Sequence, residues 1–441
     1  MAWSPDTPPA APSDFELALR HAQTCFAAGL PAAHLFRQLR QRSPDHLGVT
    51  RLTAIALAAE GERASADELL AQTLATHPDW LDGHKTLATM RWTSGQQADF
   101  ARSYNEACAV QPRNLALRLA WFYAVATLRD WATATRILDD GEKIIGDAKP
   151  FTLARLYVAC ESAAHEQAEL LLAQTESVLD AGLDICRIRY FLRTRQLMKA
   201  EEVAQRLSQS SAARLAWPYL SLIWRLRGDA RADWLDGAPP YIKSYDLDFS
   251  SAELDELATL LRQLHTASAP YIEQSVRGGT QTDRPLFFRH EPIIQTTKRK
   301  IVEAVSAYVA ALPAPDAAHP LLGVAREPIT FEGSWSVRLQ AQGFHVSHTH
   351  PMGWISSAFY VALPGAAQLG AAPAGWISFG TPPAELGLEM APMLQLEPRP
   401  GRLVLFPSTM WHSTVPFNDG ERLVAAFDVR LPGRQGNSSH L

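Results

Sequence analysis

Little cysteine, no long apolar run and no excess of either charge characterise this chain of 441 residues. Its four cysteines, Cys25, Cys108, Cys160 and Cys186, form no CxxC pair and read as buried thiols in helices, which suits a reducing compartment. No uninterrupted apolar stretch approaches membrane-spanning length, so no membrane segment is expected. Lys plus Arg total 41 against 46 Asp plus Glu, a net charge of −5, which leaves no polybasic surface for nucleic acid or lipid. The first twelve residues lack both a basic region and an apolar core, so no signal peptide is expected and the cytoplasm is the default address. The apolar fraction of 47% suits a folded protein, and the length exceeds what one core usually supports. Two domains are therefore expected, after a disordered start over residues 1–14.

Proline is also scarce across residues 15–235, where Ala, Leu, Arg, Glu and Gln dominate. Pro78 and Pro112 are 34 residues apart, and so are Gly61 and Gly95. This period resembles the tetratricopeptide repeat, in which helix pairs stack because none can bury its apolar face alone. Trp131–Leu138 and Leu197–Leu207 look like second helices of more degenerate units. Four to five units are expected. The alternative is an ordinary helical bundle.

Asp236-Gly-Ala-Pro-Pro240 breaks the helical pattern and opens a second domain over 236–441. Ser250-Ser-Ala-Glu253 is a capping box before a leucine-faced helix, and a second amphipathic helix is expected over 296–312. Short strands follow at 334–339, 355–362, 376–380, 401–406 and 422–431, separated by Pro and Gly. The fold expected is thus α+β and multidomain: a tetratricopeptide-like solenoid, then a β-sandwich or, as the leading choice, a jelly-roll barrel (a double-stranded β-helix of cupin type) with flanking helices.

Within that barrel lies His345-Val-Ser-His348-Thr-His350-Pro351, with His412 62 residues beyond His350 and Arg422 ten further on. Imidazole is the commonest side-chain metal ligand. On a strand, residues two apart share a face, so His348 and His350 can reach one ion and His412 can close the site. His345 would face the other way and is assigned to substrate or to the surroundings of the ligands. Such a centre makes an enzyme the leading expectation.

With Ile355–Val361, Pro400-Gly-Arg-Leu-Val-Leu-Phe-Pro-Ser408 and Glu421-Arg422…Asp428, this pattern resembles the 2-oxoglutarate- and iron(II)-dependent oxygenases, in particular their bacterial and phage group. The resemblance covers roughly residues 240–435. It implies iron(II) held by His348, His350 and His412, 2-oxoglutarate gripped by Arg422, and dioxygen as co-substrate, with open positions on the metal for both. His350 stands where most of the superfamily has Asp or Glu. Three imidazoles leave the metal one unit more positive, so a cofactor-independent three-histidine dioxygenase is the alternative, as is a zinc or nickel site. A scaffold with an inactive barrel is a third reading.

Other candidates follow. Arg338 could meet 2-oxoglutarate. Gln281 and Thr282, on a permissive turn from Gly278, and Trp354 are candidates for substrate contact. Asp428 shares strand parity with Arg422 and could face inward, with a buried ion pair to an arginine as the simpler reading, and Tyr360 reads as barrel packing. The substrate is expected to be a peptide or protein side chain, with a small molecule as the alternative. The repeats would recognise substrate, recruit a partner or form a homodimer.

Overall fold

The computed structural model describes residues 13–237 and 241–432. The Ala238-Pro239-Pro240 break and residues 1–12 therefore lie outside the described residues. Ser13 and Asp14, expected to be disordered, are a helix cap and a first helical residue: Ser13 and Glu16 close a capping box on helix α1 (Asp14–Ala27).

Fourteen α-helices run from α1 to α14 (Arg231–Asp236) among the described residues. They form seven successive helix pairs, more than the four to five expected. The turn inside each pair holds one residue in the left-handed region: Gly29, Gly61, Gly95, Arg129, Ala163, Arg195 and Gly228, with φ between 60° and 91°. Glycine enters this conformation freely, whereas a residue with a Cβ costs roughly 1–2 kcal/mol. Three units replace the glycine, and so their turns are silent in the sequence. Asn114, Asp130 and Asp180 cap later helices through their side chains. Cys108, Cys160 and Cys186 are buried in these helices and free, as expected, whereas Cys25, also expected to be buried, is only half-buried on α1.

The second unit is built on an antiparallel sheet of six strands in the order β1-β7-β4-β9-β3-β2. These are β1 (Lys243–Asp246), β2 (Val276–Gln281), β3 (Phe331–His345), β4 (Gly353–Ala362), β7 (Arg402–Pro407) and β9 (Arg422–Arg430). A second sheet packs against it in the order β6-β5-β8, from β5 (Ile377–Phe379), β6 (Leu394–Leu396) and β8 (His412–Thr414). The central strands of the large sheet are buried on both faces, which is why β4 and β9 read as nearly continuous apolar runs. Ile355, Phe359, Leu403, Leu405, Leu423 and Phe427 pack outward against α15 (Ser251–Leu264) and α16 (Pro292–Ala310). Ala358, Tyr360, Val404, Phe406 and Val424 face the small sheet. The capping box at Ser250 and Glu253 forms as expected.

The two units share a core. Leu386, Leu388 and Trp411 of the barrel are buried among α11 (Ala181–Arg193), α12 (Leu197–Ser208), α13 (Trp217–Arg227) and α14. Trp411 Nε1 donates to Pro218 O at 2.8 Å, and Arg214 donates to Pro351 O at 2.6 Å and Pro320 O at 3.1 Å. No helix among the described residues is long and apolar enough to cross a membrane.

Candidate metal centre

β3 ends at His345, so His348 and His350 lie on the loop beyond it rather than on a strand. His348 is nevertheless tied to β8 by a bridge with His412, with both N–H···O distances 3.0 Å. The backbone N–H of His350 donates to Ser408 O at 2.8 Å. These bonds join the two sheets at one end of the barrel and bring three imidazoles together. One nitrogen of each of His348, His350 and His412 lies within 4.8 Å of the others. The ring centroids are 4.2–5.3 Å apart.

The far side of each ring is occupied. His348 Nδ1 meets Val346 O at 2.8 Å, His412 Nδ1 meets Met410 O at 3.0 Å, and His350 Nδ1 meets an Asp428 oxygen at 2.7 Å. A carbonyl or carboxylate can only accept, so each Nδ1 carries the hydrogen and Nε2 is the atom left to face a metal; at His350 burial lowers the pKa but Asp428 more than offsets it, so a metal ion there would displace a proton. Burial, then repulsion from His350, pushes the His348 pKa down to about 3, and burial, then repulsion from His348 and His350, holds His412 well below its ordinary value. Both rings are neutral donors suited to a metal ion. Trp335 stacks on His350 at 5.7 Å with the planes 9° apart, and Phe406 packs on His412 at 4.6 Å.

Arg422 opens β9 and shares a face with Val424, Ala426 and Asp428, all lining one cavity with the three histidines. It is only 2% exposed, and no carboxylate among the described residues pairs with it. Its Nε and the hydroxyl of Tyr360 are both buried without a hydrogen-bond partner, and the guanidinium sits 5.0 Å from the Tyr360 ring. Burial raises the Tyr360 pKa although Arg422 beside it pulls the other way. Unfilled buried donors beside an unpaired cation fit an anionic ligand such as a carboxylate.

Several expectations need correction. Arg338 lies opposite in parity to Trp335 and Val337, which line the cavity, and its guanidinium binds Glu421 on the other face. Thr282 is a tie to β3: its Oγ1 accepts from Ser336 N at 2.9 Å. The turn from Gly278 is the strand β2 with a bulge, and Gly279 lies so close to β3 that a Cβ would meet Arg338 O at 2.3 Å. Trp354 is buried on the helix side, its Nε1 on Leu321 O at 2.9 Å. Asp428 serves His350, not an arginine. Gln281 does line the cavity. His345 does too, because the chain turns after β3: its ring stacks on His348 at 5.6 Å, and Ser275 Oγ lies 2.9 Å from His345 Nδ1 and 3.1 Å from His348 Nε2.

The cavity, about 1190 Å³, has a second wall that the sequence did not disclose. It is made by the first helices of successive pairs: Tyr123 and Thr127 of α7 (Leu115–Thr127), Tyr157 and Glu161 of α9 (Lys149–Glu161), and Ile185 and Arg189 of α11. Each pair of residues is four apart, one stripe per helix. Burial alone would raise the Glu161 carboxyl, but Arg189, with Arg193 and Arg129, more than offsets it and holds the group below its usual range.

Residues 333–428 match the family described as “Putative 2OG-Fe(II) oxygenase”. The C-terminal part of this chain carries a 2OG-Fe(II) oxygenase domain. Its cofactors are thus iron(II) and 2-oxoglutarate, and its co-substrate is dioxygen. No curated protein matches the chain. Among solved structures, a tetratricopeptide repeat protein from Parabacteroides merdae is 11% identical over 49% of this chain and 88% of its own, with a TM-score of 0.36. A prolyl-4-hydroxylase from Pseudomonas putida is 17% identical over 44% and 93%, TM-score 0.30. HygX from Streptomyces hygroscopicus, with nickel, 2-oxoglutarate and hygromycin B bound, is 10% identical over 44% and 84%, TM-score 0.31. The family match and the histidine geometry, not these distant likenesses, assign the oxygenase domain.

Proposed function

We propose that this oxygenase hydroxylates a side chain of a peptide or protein held between the repeat helices and the three-histidine centre. The observation that carries the reading is the single cavity that runs from His348, His350 and His412 to the inner helices of the repeats. At about 1190 Å³ it exceeds the roughly 300–1,000 Å³ of ordinary small-molecule sites. A 2-oxoglutarate molecule on Arg422 leaves most of that space for a larger substrate.

In this reading His348, His350 and His412 hold iron(II) through Nε2. Arg422 and the Tyr360 hydroxyl bind the distal carboxylate of 2-oxoglutarate, the guanidinium as a charged fork and the phenol as a further donor. Bound together, iron(II), 2-oxoglutarate and dioxygen supply an oxidant, with succinate and carbon dioxide as by-products. The chain itself orients these groups and excludes water. Ser275 and His345 border the metal side of the cavity, while Tyr123, Tyr157 and Arg189 face the substrate from across it.

A three-histidine dioxygenase that needs no 2-oxoglutarate is the second reading, favoured because no carboxylate among the described residues converges with the three imidazoles. The unpaired Arg422 calls for an anionic ligand, which 2-oxoglutarate is by nature and which the second reading supplies only if its substrate carries a carboxylate. Anaerobically purified protein supplied with iron(II) and then oxygen separates the two. Succinate formation that requires 2-oxoglutarate supports the proposal. Oxygen uptake indifferent to 2-oxoglutarate supports the second reading, and neither activity supports a scaffold.

A further inference from the structure

The three ligand histidines are not held alike. His348 and His412 rest their Nδ1 hydrogens on backbone carbonyls, but His350 rests its own on a full negative charge, Asp428. The carboxylate is itself fixed on both oxygens. One accepts from His350 Nδ1 at 2.7 Å, and the other accepts from Ser356 Oγ at 2.5 Å. Ser356 stands directly opposite Asp428 in the β4–β9 register. Ser356 and Ser408 hydroxyls are 2.9 Å apart. The one hydrogen of Ser356 goes to Asp428, so Ser408 donates to Ser356. All three side chains are buried, and Gly353 leaves them no spare room: a Cβ there would meet Ser408 Oγ at 2.8 Å and Asp428 Cβ at 3.2 Å.

We propose that Asp428 is a positioning residue for the metal, supplying through His350 the negative charge that the missing ligand carboxylate would have brought directly. This rests on the three histidines being the metal ligands. Three neutral imidazoles and one outer carboxylate carry the same formal charge as two imidazoles and one ligating carboxylate. A carboxylate on the far nitrogen fixes the tautomer of a ligand imidazole and raises its basicity, and its loss typically costs ten- to a hundredfold in metal affinity. The Ser408–Ser356–Asp428 chain keeps that carboxylate aimed at His350.

Anaerobic titration of the full-length apoprotein with Co(II) or Fe(II) tests this, with the Co(II) ligand-field spectrum as a second readout. Asp428→Asn keeps the size but puts either an amide donor or a weaker neutral acceptor against His350. The expected result is affinity lower by ten- to a hundredfold and a shifted Co(II) spectrum, with the melting temperature of the apoprotein changed little. Wild-type affinity and an unchanged spectrum in Asp428→Asn overturn the proposal. If that variant does not fold, Ser356→Ala decides: a severalfold loss of affinity supports it, and none overturns it. Failure of the wild type to bind either metal would instead remove the three-histidine reading itself.

Discussion

At the scale of single residues, Arg422 and Tyr360 are buried polar groups with unspent hydrogen-bonding capacity. A buried unsatisfied polar atom costs about 1–3 kcal/mol. Such a cost is recovered when a ligand fills the gap. Arg422→Ala should therefore weaken 2-oxoglutarate binding by about 2–5 kcal/mol, thirtyfold or more, while iron loading is kept. Calorimetry on the apo and metal-loaded variant checks both halves. Tyr360→Phe gives a sharper outcome: 2-oxoglutarate affinity falls about tenfold, yet the ligand-free protein melts no lower than wild type, because the orphan hydroxyl is gone. A lower melting temperature with unchanged affinity would make Tyr360 mere packing. Around the metal, His350→Ala should lose far more iron than His345→Ala, since the Nδ1 of His345 faces Ser275 and, among the described residues, His348, His350 and His412 are the ligand types that converge. Metal content after dialysis, measured on both variants, decides the order.

Among elements, the repeat turns give the clearest account of what the sequence discloses. Gly61 and Gly95 announced a 34-residue period, and the same left-handed position recurs at Arg129, Ala163 and Arg195 without a glycine to mark it. The units at Arg129 and Arg195 are legible from their second helices, Trp131–Leu138 and Leu197–Leu207, whereas the glycine turns at Gly29 and Gly228, with no matching proline or glycine one period away, do not read as units. Ala163→Gly should relieve left-handed strain of roughly 1–2 kcal/mol, offset by about 0.4–1 kcal/mol of extra freedom in the unfolded chain. A net gain of about 0.5–1 kcal/mol is expected in urea unfolding, and a loss would mean the turn tolerates its side chain. The barrel strands were legible from their apolar runs, and His348, His350 and His412 from type and spacing. Arg338 was misjudged because residue type was weighed without parity: Trp335 and Val337 already claimed the inward face. The same parity from Arg422 does lead to Asp428, although nothing local ties it to His350, 78 residues away along the chain. Tyr123, Tyr157 and Arg189 were illegible for a deeper reason. Their place on the cavity wall arises only where the repeats meet the barrel, and no periodicity within either unit encodes that meeting.

For the whole molecule, the junction between repeats and barrel is a shared interior rather than a hinge, and it carries a buried charge whose state depends on pH. Asp236 ends α14 at 3% exposure, where it accepts a hydrogen bond from Ser221 in the core that also holds Trp411. Burial pushes its carboxyl up to about 6, with Ser221 and Arg225 only partly opposing the shift. The folded protein therefore holds a proton on Asp236 more tightly than the unfolded chain does, whose carboxyl has the ordinary value of about 3.9. The resulting stability is fully present below pH 4 and is lost as pH rises through about 6. The shift of about two units corresponds to roughly 3 kcal/mol at most, an order-of-magnitude figure for a group this deep. Asp236→Asn keeps an acceptor for Ser221 without a charge to bury. Its melting temperature should exceed that of wild type at pH 8, and the gap should shrink or reverse at pH 4.5. Thermal melts of the two proteins across that range check the sign. A gap that stays constant with pH would mean that Asp236 keeps the same charge in the folded and unfolded states, and that the junction is open enough to water to solvate it.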